Sequence, residues 1–174
     1  MEHTDHVNLL RGGIPGPGGV WADLGSGTGA FTLALAELIG PTGEIYSVDK
    51  DGSALREQAR LFRVRYPGYP IHFQKADFTR PLELPPLDGL VMANALHFHR
   101  DKAGVVRHLR QHLQPGGRFV LVEYNVDSGN FAVPHPLTYP RWEALARECG
   151  FAHTQLLMTQ PSRFLKEFYS AASW

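Results

Sequence analysis

The chain has 174 residues, of which 43% are apolar and 20% charged, with 17 basic and 17 acidic side chains in balance. That length and mix describe one globular domain, able to bury roughly 70% of its unfolded surface, and exclude a disordered or fibrous chain. Zero net charge argues against a polyanion partner, and the single Cys149 excludes an intramolecular disulfide.

No apolar run approaches the length needed to span a membrane, and "MEHTDHVNLL" lacks the basic-then-apolar pattern of a secretion signal. A cytoplasmic protein with no membrane partner is expected. The first regular element is a strand over Val20–Leu24, which runs into a glycine turn. A helix over Thr28–Ile39 follows and is closed by "GPTG". Ile45–Val48 reads as a second strand, ending at Asp49. Leu55, Ala59, Phe62 and Tyr66 then form one helical stripe. Ile71–Lys75 is the third strand, followed by the proline-rich "FTRPLELPPL".

Leu87–Ala93 is nearly all apolar, as a parallel strand covered on both faces must be. Val105, Val106, Leu109 and Leu113 predict a helix broken by "QPGG", and Phe119–Val122 another buried strand. Trp142, Leu145, Ala146 and Cys149 mark the last helix, which stops at Gly150. Thr154–Met158 and Phe164–Tyr169 read as a closing strand pair, joined too tightly for a parallel crossover. The fold class is therefore α/β and doubly wound. It is a single domain over residues 1–174, with a seven-stranded, mostly parallel sheet, one antiparallel terminal strand and helices on both faces.

In such sheets ligands bind beyond the carboxyl ends of the strands, where the strand order reverses. The turn "DLGSGTGA" lies there, with Asp49 twenty residues beyond Gly29. By itself the pattern admits a dinucleotide or another adenosine ligand, since an acid after the second strand suits the ribose hydroxyls of either. Three features favour a cationic ligand. Asp23 lies two residues before Gly25, where its charge would repel a pyrophosphate and attract an ammonium or sulfonium. "KADF" places an acid and an aromatic after the third strand, where an adenine could rest. The chain also leaves no room for the separate substrate domain that many dehydrogenases carry.

These motifs resemble those of the class I S-adenosylmethionine-dependent methyltransferases, in particular the ubiquinone/menaquinone-methyltransferase-like group. The likeness runs through "DLGSGTG", "YSVDKDGSAL", "ADF", "LDGLVMANALHFHRD" and "LQPGGRFVLVEY", over about residues 20 to 125 and in the family's order. It implies S-adenosylmethionine as cofactor and S-adenosylhomocysteine as product. It also implies that Asp23 meets the methionine ammonium, directly or through water. Gly25, Gly27 and Gly29, with Ser26 and Thr28, would bring the backbone against the cofactor. Asp49 would hold the ribose and Lys50 would lie beside the adenine. Asp77 and Phe78 would take the adenine, and Asn94, with Ala95, the methionine portion.

Methyl transfer from a sulfonium needs an in-line acceptor, and a base only where the acceptor must lose a proton. His97, His99 and Glu123, all near strand ends, are the candidate catalytic residues; no metal site is expected, since H-x-H has no third ligand fixed by spacing. Residues 125–140 form a long loop above the same edge, so Phe131, His135 and Tyr139 are expected to line a substrate site. Residues 1–19 are read as an arm or lid. The expected partner is a small-molecule acceptor. "NALH" in place of an Asn/Asp-Pro-Pro-aromatic motif disfavours nucleic acid, and a homodimer stays open. The competing readings are an NAD(P)-dependent oxidoreductase of Rossmann type and a non-catalytic S-adenosylmethionine-binding protein.

Overall fold

The computed structural model describes residues 1–174. Seven strands, β1 (Gly19–Leu24), β2 (Gly43–Asp49), β3 (Ile71–Lys75), β4 (Leu87–Ala93), β5 (Leu113–Tyr124), β6 (Thr154–Pro161) and β7 (Glu167–Ser173), form one sheet. The order is β3-β2-β1-β4-β5-β7-β6. The first five strands in space are parallel, and β7 runs antiparallel to both β5 and β6. The expected antiparallel strand is thus the last in sequence. It is inserted between β5 and β6, which leaves β6 at the edge.

Alternation along each strand divides the core into two layers. Trp21, Val91, Val120 and Val122 point to the face that also buries Val7, Leu9 and Leu10 of α1 (His3–Arg11), Phe31 and Leu35 of α2 (Ala30–Ile39) and Phe62 of α3 (Gly52–Arg65). Ala22, Leu90, Met92, Phe119 and Leu121 point the other way. They pack on Val106 and Leu109 of α4 (Lys102–Arg110) and on Trp142 and Ala146 of α5 (Tyr139–Glu148). Each helix starts where its sequence allows. Asp51 accepts amide protons from Ser53 and Ala54 at the start of α3, and Asp101 accepts one from Gly104 at the start of α4.

The chain departs from expectation at its start and at several boundaries: α1 precedes the first strand, and residues 1–19, read as an arm or lid, begin as a helix whose Val7, Leu9 and Leu10 are in the core. Leu113 is not in the helix; α4 ends at Arg110, and Leu113 pairs with Leu87 as the first residue of β5. Residues 114–117 then bulge out before Arg118 resumes the ladder opposite Gly89. Leu113 fitted the helical stripe because an apolar residue opening a buried strand satisfies the same spacing. The final strand begins at Glu167, three residues later than the pattern suggested, and runs on to Ser173.

Gly89 of β4 is opposite Trp21 of β1, and the indole fills the space where a side chain would stand. A Cβ at this position would enter the ring, in a core with no slack to absorb it. Gly89→Ala is therefore expected to cost about 1–3 kcal/mol, read as a lowered urea midpoint. An unchanged midpoint would mean that Trp21 can move aside freely.

Candidate active site

Parallel register brings the carboxyl ends of β1, β2, β3 and β4 to one edge, and the order reverses between β1 and β4. A cavity of about 260 Å³ opens there, lined by Gly25, Asp49, Lys50 and Asp77 on one side and by Phe78, Asn94, Ala95, Phe98 and His99 on the other. Ala76 completes it. Most residues expected at a cofactor site are therefore gathered in one place.

The glycine turn is shaped to leave this space. Gly25 has φ +76°, and a Cβ there would stand 2.6 Å from the Cβ of Ala95. Its amide and that of Ser26 donate to the Val48 carbonyl at 2.8 and 3.2 Å, which clamps the turn onto β2. The Gly27 amide donates to Asp49 Oδ2 at 2.8 Å, while Asp49 Oδ1 accepts the amide of Asp51 at 2.8 Å. Gly29, with φ +92°, is the N-cap of α2; Thr28 is exposed on the outside of the turn.

Asp23 does not line the cavity. It lies behind the turn, 1% exposed, and accepts the hydroxyl proton of Thr32. Gln58 Nε2 donates in turn to Thr32, and Gln58 Oε1 and Ser26 Oγ are each 2.8 Å from Ser47 Oγ. One hydroxyl carries one proton, so with Ser47 donating to Gln58, Ser26 donates to Ser47. The whole chain of donors then runs toward the Asp23 carboxyl. Burial pushes that carboxyl up to about 7 against the Thr32 hydrogen bond, with the charge of Asp49 adding to the rise.

At the other end, hydrogen bonds from the Thr79 hydroxyl and amide hold the Asp77 carboxyl below the usual carboxylate range. Phe78 meets His99 edge to face at 5.1 Å, and burial pushes the His99 imidazole down. Asn94 has φ +52°, rare for a residue with a side chain, and its Oδ1 is buried without a partner.

His97 and Glu123 meet under the cavity floor. His97 Nδ1 is 2.7 Å from Glu123 Oε2, and the His97 amide donates to Oε1 at 3.1 Å; the side chains are 3% and 0% exposed. Both carboxylate oxygens act as acceptors, so Nδ1 is the donor in this pair. The imidazole packs between Phe98, at 4.3 Å, and Tyr124, at 6.1 Å. Phe98 belongs to the first cavity. Tyr124 belongs to a second, of about 520 Å³, which shares Asn94 with the first. His99 is not part of this pair and lies on the Phe78 wall.

The loop over residues 125–140 lines neither cavity. Phe131 is 96% exposed, and Tyr139 packs on Tyr169 and bonds Glu143. His135 donates its amide to the His97 carbonyl at 3.0 Å, so the loop braces the turn carrying His97 (Leu96–Phe98). The second cavity is instead bounded by the start of α1 and the turn between β6 and β7, with Phe164, Phe168 and Arg163. Sequence reasoning read residues 1–19 only as an arm or lid and placed Phe164 in the closing strand, so it missed the turn at Arg163 and Phe164.

No helix is long and apolar enough to cross a membrane. Residues 22–119 match a family model described as a methyltransferase domain. The chain is 26% identical over 167 residues to a reducing polyketide synthase, grgA, of Penicillium sp, covering 79% of this chain and 6% of that protein. It is 30% identical over 104 residues to the ubiquinone/menaquinone biosynthesis C-methyltransferase UbiE of Pasteurella multocida, covering 59% of this chain and 39% of that one. The structure also overlays on the CurJ carbon methyltransferase with a TM-score of 0.73 at 20% identity, over 94% of this chain and 50% of that one. The chain thus spans well under half the length of these curated relatives. With more than half its residues inside the matched model, and with the glycine turn and switch-point cavity just described, the chain belongs to the methyltransferase-domain family.

Proposed function

We propose that this domain binds S-adenosylmethionine in the switch-point cavity and transfers its methyl group to a carbon of a small-molecule acceptor, one that becomes nucleophilic by losing a proton to His97. The observation that carries this reading is the buried His97–Glu123 pair, whose imidazole lies 4.3 Å from Phe98 of the first cavity and 6.1 Å from Tyr124 of the second. The names of the relatives, two of them carbon methyltransferases, support the choice of a carbon atom.

The lining suits the cofactor chemically. Asp49 accepts one amide on each oxygen and keeps lone pairs for two ribose hydroxyls. Ala76, Phe78 and Phe98 offer a flat apolar slot for adenine, with the Asp77 carboxylate for its amino group and Lys50 and His99 at the rim. The orphaned Asn94 Oδ1 is an acceptor for an ammonium group, and Asp23 behind the turn adds its field without contact. When bound, S-adenosylmethionine supplies a methyl group on a sulfonium, a leaving group that departs neutral. What remains for the chain is to hold the acceptor in line and to take its proton. Glu123 fixes the imidazole with Nε2 as the base. As the proton arrives there, the carboxylate 2.7 Å away stabilises the positive ring.

Three outcomes test this. Asp49→Ala should weaken S-adenosylhomocysteine binding by about one to two decades in a calorimeter, since hydrogen bonds to a charged acceptor are lost. Unchanged affinity, or preferential binding of NAD⁺ by the unaltered protein, rejects the cofactor assignment. His97→Ala should lower kcat about 10²–10⁴-fold on an acceptor whose carbon becomes nucleophilic on deprotonation, such as 1-hydroxy-2-naphthoate, with S-adenosylhomocysteine affinity retained. An unaffected kcat removes the base.

The third outcome concerns Asp23. Its carboxyl is raised from 3.8 to about 7 in the folded chain, so the stability contributed by its neutral form is full below 3.8 and is lost as pH rises through 7. Asp23→Asn escapes that loss. Relative to the unaltered protein it should gain stability between pH 4 and pH 8, by on the order of 4 kcal/mol, in melts taken across that range. An ammonium bound nearby favours the carboxylate. Binding of S-adenosylhomocysteine at pH 6.5 should therefore release protons, seen as heats that vary with buffer ionisation enthalpy and cease to do so in Asp23→Asn.

A further inference from the structure

Resting on that reading, we propose that the second cavity is the acceptor site and that it takes a planar, conjugated molecule carrying a carboxylate or phosphate, the anionic group pairing with Arg163. At about 520 Å³ the cavity has the size of an ordinary small-molecule pocket. One wall is aromatic. Tyr124 packs at 4.3 Å on Phe168 and at 6.0 Å on Phe164, and Phe164 leaves much of its ring exposed at the mouth. Such a wall holds a flat π system better than a flexible chain. It also comes near the base, because Tyr124 follows Glu123 in β5 and its ring centroid lies 6.1 Å from that of His97. A conjugated acceptor is what a single imidazole can deprotonate, since delocalisation makes the proton acidic.

The charges decide the tail. Glu2, Asp5 and Arg163 all line the cavity. Asp5 accepts the Glu2 backbone amide at 2.8 Å, and both carboxylates stand at the start of α1, where the helix dipole offsets part of their charge. Arg163 makes no ion pair and no side-chain hydrogen bond. It sits on a turn stiffened by Ser162 Oγ, which accepts the amides of Phe164 and Leu165 at 3.2 and 3.3 Å. The guanidinium is thus the charge in the cavity that no hydrogen bond or helix dipole holds, and its planar fork matches a carboxylate or a phosphate.

The test uses the full chain saturated with S-adenosylhomocysteine and titrated at low salt with four probes of one shape. These are 2-naphthoate, 2-naphthyl phosphate, 2-naphthol and 2-naphthylmethylammonium. The two anions should bind about three- to fivefold more tightly than naphthol, the range of an exposed ion pair, and whichever is tighter names the tail. Arg163→Ala should abolish that preference and Arg163→Lys should retain part of it, while Tyr124→Ala should weaken all four. Naphthol or the ammonium binding as well as the acids, or the preference surviving Arg163→Ala, overturns the proposal. Loss of probe binding with S-adenosylhomocysteine still bound strikes this inference alone. Failure of S-adenosylhomocysteine itself to bind strikes the methyl-transfer reading, and this inference with it.

Discussion

The hydrogen bond from the Gly27 amide to Asp49 is the contact on which the rest of the site depends. It joins the turn after β1 to the end of β2, and so fixes how far the backbone stands from the switch point. The same carboxylate caps the chain on its other side through Asp51, whose own side chain starts α3. One acid thereby sets the turn, the exit of β2 and the entry of a helix, yet keeps lone pairs directed at the cavity. Beneath it, the chain of donors from Ser26 through Ser47, Gln58 and Thr32 leads to Asp23. A buried carboxyl is costly unless its neighbours donate to it, and here Thr32 donates while burial and the Asp49 charge still raise it.

Strand alternation does a second piece of organising at the end of β5. Adjacent residues of a strand face opposite sides, so Glu123 goes under His97 on the α4 and α5 side, while Tyr124 joins the aromatic wall on the α1 side. The carboxylate that holds His97 and the aromatic wall beside it therefore come from consecutive positions. A shift of one residue in the β4–β5 register would separate them. The bulge at 114–117 sits at the far end of this pair of strands, where it does not disturb the site.

Much of the architecture was legible because its signals are local. β3 and β4 begin and end where apolar runs and breakers said they should. Asp51 caps α3, as a short polar side chain before a helical stripe can. Leu113 was misread because helix and buried-strand patterns agree at a single apolar position. The loop over residues 125–140 drew attention by its length, but length does not say which way a loop folds. It packs inward on Val126, Val133 and Leu137 and braces His97.

By itself, the sequence determined the order of elements from β1 onward, the seven strands and the cluster of Gly25, Asp49, Asp77, Phe78 and Asn94 at one edge. Each follows from residue-level chemistry: glycines that accept positive φ, acids at strand ends, and apolar periodicity. Only the tertiary structure decided that Asp23 turns away from the cavity, that Glu123 chooses His97 over His99, and that the second cavity is built from α1 and the turn at Arg163 and Phe164. Those are pairings between segments far apart in the chain. They are settled by which face of a strand points at which helix and by the insertion of β7 beside β5, and no local pattern encodes either.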